Sequence, residues 1–277
     1  MMPNTARNQG PDLFTQFTDF IRDEIGVNLS SAKRVMISGR FHKRIVALGL
    51  KDFDGYLTWL YETKSFDSER HHIFDAVTTN KTDFFRESEH FDILQEVCIP
   101  RFRETGRNRF KAWSAAASTG AEAYTLAMVL AEQARVSPFD WVILGTDINN
   151  RVLETARLAI YPEDQLRPLT PAERNRYFLQ GTGNYAKAFR VVPELRARVN
   201  FTRLNLMDQS FPIDRDVDVI FLRNVLIYFT PEDQAALIDR LVHHLAPTGS
   251  LFVGHSESMV VRHPALEQIA PAVYNRI

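Results

Sequence analysis

Two acids stand beside apolar runs at positions that suit ligand binding. Glu122 lies just after Phe110-Lys111-Ala112-Trp113-Ser114-Ala115-Ala116-Ala117-Ser118-Thr119-Gly120 and inside the run Ala121-Glu122-Ala123-Tyr124-Thr125-Leu126-Ala127-Met128-Val129-Leu130. This pattern reads as a strand, a turn of small residues and a helix, the opening of a βαβ unit. Small side chains let a ligand approach the turn, and the helix N-terminus offers unpaired N–H groups. A plain strand-to-helix connection has the same pattern. Asp147 ends the next apolar strand, Trp141-Val142-Ile143-Leu144-Gly145-Thr146-Asp147. In doubly wound nucleotide-binding folds, a carboxylate there accepts hydrogen bonds from ribose hydroxyls. The turn lacks Gly-x-Gly-x-x-Gly, which disfavours a dinucleotide pyrophosphate. An adenosine ligand without phosphates fits better. S-adenosylmethionine is the commonest, and Glu122 would meet its ammonium group through a charge-assisted bond.

Further strands must bring other polar groups to the same edge. Val199-Asn200-Phe201-Thr202-Arg203-Leu204 runs into Asn205-Leu206, and Val217-Asp218-Val219-Ile220-Phe221-Leu222 runs into Arg223-Asn224. Ligands of open parallel sheets sit beyond the carboxyl ends of strands, which adds Asn205, Arg223 and Asn224 to the candidates. Turn or cap roles are the competing explanation for the asparagines. Upstream, Thr78-Thr79-Asn80-Lys81-Thr82-Asp83-Phe84-Phe85-Arg86 is too polar and β-branched for a helix interior. It reads as a linker anchored by Phe84 and Phe85, with Asn80, Thr82 and Arg86 free to face a ligand.

Before the linker, apolar spacing predicts helices from Leu13 to Ile25, from Ser30 or Ser31 to Gly49 with Val35, Met36, Phe41, Ile45 and Leu48 inward, and from about Asp54. Between Gly26 and Lys51 lie Lys33, Arg34, Arg40, Lys43 and Arg44 without an acid. Lys33, Arg40 and Arg44 recur at helical spacing, either as a solvated face or as a docking surface for an acidic partner. Later, Val152 to Ile160 predicts a helix stopped at Tyr161-Pro162, and Thr170-Pro171-Ala172-Glu173 is a capping box. Two short apolar runs flanking Gly181-Thr182-Gly183-Asn184 predict an inserted hairpin suited to partner recognition. Thr230-Pro231 opens a helix through Leu245, with strands expected at Ser250–Gly254 and Ala272–Asn275.

With 277 residues, 45% of them hydrophobic, the chain can form one sizeable core plus a smaller unit. A net charge of -1 gives no global attraction to nucleic acid or membrane. The single cysteine, Cys98, excludes an internal disulfide, fits a reducing compartment and sits in an apolar run as a structural thiol. Met1 to Gly10 read as a frayed start rather than a signal peptide, and no apolar run reaches the ~18 residues of a membrane span. The expectation is a soluble cytoplasmic protein. His71-His72 and His243-His244 are adjacent pairs and His255 is alone, so no metal site is expected.

Thr79-Asn80-Lys81-Thr82-Asp83-Phe84-Phe85-Arg86, Trp113 to Gly120, Thr146-Asp147-Ile148, Phe221-Leu222-Arg223-Asn224-Val225-Leu226-Ile227-Tyr228-Phe229 and Gly254-His255-Ser256-Glu257 together resemble the bacterial chemotaxis receptor methyltransferase family, CheR. The resemblance spans nearly the whole chain. It implies an α/β, doubly wound, Rossmann-like S-adenosylmethionine-dependent methyltransferase domain, a small N-terminal helical domain and an inserted antiparallel β hairpin subdomain. The expected boundaries are 11–77 for the helical domain, 78–92 for a linker contributing to the cofactor site, and 93–277 for the methyltransferase domain, with the insert at about 174–194. The implied reaction is methylation of glutamate side chains on the cytoplasmic helices of chemoreceptors, leaving S-adenosyl-L-homocysteine. By the same resemblance Asn80, Thr82, Arg86, Glu122, Asp147, Asn205, Leu206, Arg223 and Asn224 would contact the cofactor, and Arg86 and Tyr228 would lie near the transferred methyl. The helical domain would dock the receptor, with Lys33, Arg40 and Arg44 as candidates, and the hairpin would bind a receptor C-terminal tether peptide. A monomer is expected, with no nucleic acid partner and no membrane insertion. The chain departs from the family's Gly-Glu-Glu-Pro-Tyr-Ser after the cofactor turn, reading Gly120-Ala121-Glu122-Ala123-Tyr124-Thr125. Glu122 keeps the second acid, while loss of the first acid and the proline would loosen the helix start. A noncatalytic binding regulator and an RNA methyltransferase are the alternatives.

Overall fold

A computed structural model describes residues 12–277, so the expected frayed start at Met1 to Gly10 lies outside the described residues. The chain divides into two compact units, at Thr78 and Thr79. The first unit holds α1 (Leu13–Ile25), α2 (Arg34–Ala47), α3 (Phe53–Glu62) and α4 (Phe66–Val77). Asp12 and Asp52 cap α1 and α3 through backbone N–H groups, and left-handed Gly26 closes α1. The core is largely aromatic, with Phe17, Phe41, Phe53 and Tyr56 in mutual ring contact.

One expectation for this unit needs correction. Ile37, Phe41 and Ile45 set the inward stripe of α2, whereas Val35 and Met36 are 84% and 45% exposed. At 100° per residue Val35 and Met36 fall outside that stripe. Arg40 and Arg44 both bond to α4, Arg40 with its side chain exposed and Arg44 half-buried. Arg40 donates to the Ala76, Val77 and Thr78 carbonyls at 3.3, 3.3 and 2.9 Å, satisfying the helix end. Arg44 Nε donates to Glu69 Oε2 at 2.9 Å, and the Tyr56 hydroxyl donates to the same oxygen at 3.2 Å. Burial pushes the Glu69 carboxyl up, but the bonds from Arg44 and Tyr56 outweigh it and hold it below its ordinary value. Arg44→Met would strand this buried acid and is expected to cost roughly 3 kcal/mol, read from the urea midpoint. A midpoint within experimental scatter of wild type would show that the pair contributes nothing.

The second unit opens with the irregular segment 79–88. A continuous helical stretch follows as α5 (Glu89–Ile93), a π-helical turn (Leu94–Cys98) and α6 (Ile99–Glu104). Next come β1 (Arg109–Ala115), α7 (Ala121–Val136), β2 (Asp140–Asp147), α8 (Asn150–Leu158) and β3 (Ile160–Pro162). The helix expected through Ile160 ends earlier, because Ala159 turns left-handed and Ile160 pairs in a sheet. Then follow α9 (Pro171–Tyr177), β4 (Phe178–Gln180), β5 (Ala188–Val191), α10 (Pro193–Arg196), β6 (Val199–Arg203), β7 (Val217–Leu222), α11 (Pro231–His244), β8 (Leu245–Val253), β9 (Leu266–Ala270) and β10 (Val273–Arg276). The capping box of Thr170 and Glu173 forms at α9.

Seven strands lie in the order β6-β2-β1-β7-β8-β10-β9, the first five parallel and the last two antiparallel. Alternation along the strands divides the apolar residues between two faces. Phe110, Ala112, Val219, Phe221 and Phe252 join the core containing α7. Trp113, Ala115, Ile220, Leu222, Leu251 and Val253 join the core containing α11. This is the doubly wound arrangement, and β7 is buried along its whole length. The chain winds outward from β1 to β2 and β6, then returns to β7 on the other side of β1, so the topological switch falls between β1 and β7.

A smaller antiparallel sheet, in the order β3-β5-β4, projects as an insert. The expected hairpin is β4 with β5, and β3 adds a third strand from before α9. Cys98 is buried and donates to Ser250 Oγ at 3.4 Å; burial pushes its thiol up to about 11, which makes it inert.

Buried Asp218 sits in β7 beside Arg107 and accepts the Lys111 N–H at 2.8 Å. Burial outweighs these partners and pushes its carboxyl up to about 6. Because this folded value lies above an unfolded value of about 3.9, ionised Asp218 destabilises the fold above pH 6, and protonation relieves that cost as pH falls toward 4. Wild type should therefore gain about 1 kcal/mol from this group between pH 7 and pH 5. Urea unfolding of Asp218→Asn at the two pH values should lack that gain; an unchanged pH slope would reject the assignment.

Candidate active site

The site is organised by the turn between β1 and α7, where the backbone is left-handed at Ala116, Ser118 and Gly120, with φ of 63°, 51° and 87°. Alanine and serine adopt this region at a cost of about 1–2 kcal/mol each, so the surroundings must hold them there. Gly120 also lacks room for a side chain, since a Cβ would lie 2.9 Å from the Ala156 Cβ. The Asp147 carboxylate supplies part of the restraint. Its Oδ2 accepts the Ser118 N–H at 2.9 Å and its Oδ1 accepts the Asn149 N–H at 2.9 Å, with the residue 7% exposed. The carboxylate closes β2, where doubly wound folds place an acid against ribose hydroxyls.

Asp147 also reaches β6, because its carbonyl accepts the Leu204 N–H at 3.0 Å. Asn205 comes next in the chain; its Oδ1 accepts the Met207 N–H at 3.1 Å, a local turn bond. Leu206 is buried, and its carbonyl accepts from Arg240 at 3.0 Å. From the other side, Ser118 Oγ donates to the Asn80 carbonyl at 2.8 Å, drawing the irregular segment onto the turn. Phe84, 1% exposed, anchors that segment against Tyr161 and Phe178. Thr82 and Arg86 are half-buried within it, and Arg86 Nη1 donates to the Lys81 carbonyl at 3.3 Å.

A second group of charges meets across the switch point. Glu122 Oε1 accepts from Ser114 Oγ at 2.6 Å and Oε2 from Arg223 Nε at 2.7 Å. The Arg223 guanidinium lies over the faces of Phe91 and Phe221, 5.5 and 5.6 Å from their centres. Its Nη1 donates to the Arg86 carbonyl at 2.6 Å and to His90 Nδ1 at 3.1 Å, with Glu87 Oε2 3.4 Å away. Burial, aided by the Arg223 charge, pushes His90 down to about 3, so its ring is neutral and Nδ1 is an acceptor. Asn224 stands at φ 61°, with its Nδ2 3.5 Å from Glu87 Oε1. Tyr228 is half-buried in the 3-10 turn Leu226–Tyr228 that follows.

Thus two hydrogen-bonded groups form at the carboxyl ends of β1, β2 and β7: Asn80 with Asp147 through Ser118, and Glu122 with Ser114, Arg223, the Arg86 carbonyl and, through Glu87, Asn224. Ser114, Ser118, Glu87 and His90 are additions to the expected set. Lys33, Arg40 and Arg44 belong to the helical unit. His255, expected to be alone, has its ring 5.0 Å from that of His90, and Glu87, His90 and His255 bring ligand-type atoms within 4.8 Å of one another. Arg223 already occupies this neighbourhood with its positive charge, which opposes a metal ion there.

The residues fit S-adenosylmethionine on structural grounds. Asp147 ends β2 at the position that suits a ribose-binding carboxylate, and α7 starts at Ala121 with no side-chain cap from Gly120, which suits its first-turn N–H groups to a carboxylate. The replacements at Ala121 and Ala123 do not disorder the helix start, which is regular from Ala121. Fold and site together define a methyltransferase dependent on S-adenosylmethionine. Residues 80–274 match the family model described as the CheR methyltransferase SAM binding domain, and residues 12–78 match the CheR methyltransferase all-alpha domain. The chain belongs to the CheR methyltransferase family. It is 40% identical over 245 residues to the chemotaxis protein methyltransferase of Escherichia coli K12, covering 88% of this chain and 84% of that protein. Identity to chemotaxis protein methyltransferase 2 of Pseudomonas aeruginosa is 36% over 265 residues, covering 95% and 92%. Identity to the chemotaxis protein methyltransferase of Borreliella burgdorferi is 35% over 280 residues, covering 99% and 97%.

Proposed function

We propose that this enzyme methylates glutamate side chains on the cytoplasmic helices of chemoreceptors, forming methyl esters during chemotactic adaptation. The supporting observation is the two hydrogen-bonded groups at the carboxyl edge of the sheet, Asp147 with Ser118 and Glu122 with Arg223, beside a turn held in left-handed conformations, within a chain of the CheR methyltransferase family. In this reading Asn80, Thr82, Arg86, Glu122, Asp147, Asn205, Leu206, Arg223 and Asn224 hold the cofactor. Asp147 takes the ribose and Glu122 the ammonium group.

When bound, S-adenosylmethionine supplies a methyl group on a sulfonium. The acceptor glutamate has an ordinary pKa of about 4.3 and is ionised at neutral pH, so the protein needs no general base. Its residues position and desolvate instead. Arg86 and Tyr228 orient the incoming carboxylate, and Arg223 fixes Glu122 rather than reaching for the acceptor, since its Nε and Nη1 already donate to protein groups.

The helical unit supplies receptor docking in this reading, through Lys33, Arg40 and Arg44; Arg40 keeps an exposed side chain, and exposed Lys43 and the apolar Val35, Met36 and Val46 lie with the two arginines on α2. The insert supplies a tether site: β4 is an edge strand, Leu179 and Tyr185 are exposed, and a cavity of about 360 Å³ is lined by Arg174, Phe178, Gln180 and Phe189. An extended receptor C-terminal peptide would add to that edge. No described helix is long and apolar enough to cross a membrane, and the enzyme acts as a cytoplasmic monomer in this reading.

The test is transfer of radiolabelled methyl from S-adenosylmethionine to receptor protein, followed by mild alkali. Release of labelled methanol supports a glutamyl ester. Alkali-stable label, label in RNA, or cofactor binding without transfer would each overturn the reading in favour of a different acceptor or a regulator.

A further inference from the structure

We infer that Glu257 is a positioning residue for methyl transfer, holding the segment Asn224–Tyr228 in a single conformation from the neighbouring strand. The inference deepens the proposed function and rests on it. Glu257 is 1% exposed and lies in the turn after β8. Its Oε2 accepts the N–H groups of Asn224 and Gly254, both at 2.7 Å, and its Oε1 accepts the Ile227 N–H at 3.3 Å. These three donors are all backbone N–H groups, so the acid compensates its burial by fixing the main chain.

The segment it holds requires such a restraint. Asn224 adopts φ 61°, a left-handed conformation that an asparagine leaves readily when unsupported. Beside it the chain of β8 approaches so closely that a Cβ on Gly254 would lie 2.5 Å from Asn224 Nδ2 and 2.8 Å from Glu257 Oε2. β7 and β8 are parallel neighbours, and the carboxylate therefore spans the ends of adjacent strands. Arg223, next to Asn224, carries the bond to Glu122, and Tyr228 lies one residue past Ile227. One buried acid thereby sets the register of groups assigned to the cofactor and of the tyrosine assigned to the acceptor.

Glu257→Gln replaces one acceptor oxygen with an NH2 group aimed at backbone N–H donors, which pushes the segment away. The expected result is a fall in kcat of about 30-fold that clearly exceeds the accompanying loss of S-adenosylhomocysteine affinity through Asn224, as for a misplaced reacting group. Gly254→Ala displaces the same atoms without touching the charge and should give the same split; if Glu257→Gln does not fold, Gly254→Ala decides. Unchanged kcat in a folded variant reduces Glu257 to a turn cap and overturns the inference. A loss of kcat in proportion to lost S-adenosylhomocysteine binding also overturns it, because the cofactor site would then have collapsed. Failure of the wild-type enzyme to transfer methyl would instead strike the proposed function, and the two failures are thereby separable.

Discussion

Asp147→Ala lowers affinity for S-adenosylhomocysteine by roughly 100-fold in calorimetric titration, while the variant remains folded. The magnitude follows from losing charge-assisted hydrogen bonds to ribose hydroxyls, about 1.5–3 kcal/mol each, at a tenfold loss per 1.4 kcal/mol. The side chain also restrains the protein, because Ser118 and Asn149 N–H groups bond to its two oxygens. Alanine therefore loosens the turn that carries left-handed Ala116 and Ser118, and part of the loss arises from a less ordered site. Asp147→Asn separates the contributions. Its remaining oxygen restores one of the turn bonds but not the charge, so affinity should fall between wild type and alanine. Binding equal to wild type in both variants would remove Asp147 from the cofactor site.

Arg223→Met is expected to be more damaging to the fold. Methionine preserves much of the stem between Phe91 and Phe221 but leaves Glu122 buried without its cation, and the Arg86 carbonyl and His90 Nδ1 without their donor. Removing one partner of a buried pair costs about 3–5 kcal/mol, a large part of the stability of a typical domain. Methyl transfer should be abolished at the same time, because the position of Glu122 depends on this bond. Denaturant unfolding measures the first effect and labelled transfer the second. The double variant Arg223→Met with Glu122→Gln should recover part of the stability and none of the activity, since it removes the stranded charge without rebuilding the site. Equal stability of the single and double variants would show that the buried pair does not carry the energetic role assigned here.

Much of the framework of the proposed cofactor side is legible in the sequence. The small-residue turn, the helix after it and the acid closing β2 are near neighbours in sequence, and their physical requirements are local: room above the turn, free N–H groups, a strand that ends in a carboxylate. The capping box at Thr170 is legible for the same reason. Helix α4 had a signal that could have found it, in the apolar spacing of Phe66, Ile73, Phe74 and Val77. Strands β3 and β9 offered less, being short and largely exposed at their edges. Alternation reveals a strand only when one of its faces is buried.

Charges behaved differently. Arg40 and Arg44 have the helical spacing of a docking face, but spacing alone does not show that Arg44 bonds the buried Glu69 or that Arg40 bonds carbonyls at the end of α4. Likewise His255 is solitary in sequence but neighbours His90 in space, and Glu257 meets a backbone segment thirty-odd residues upstream. The amino-acid sequence by itself determined the family and the α/β winding, because these follow from local periodicity and from motifs read in order. Only the tertiary structure decided which ionised groups bind each other and which remain available, because that depends on desolvation and on contacts within about 3 Å, which chain order does not specify.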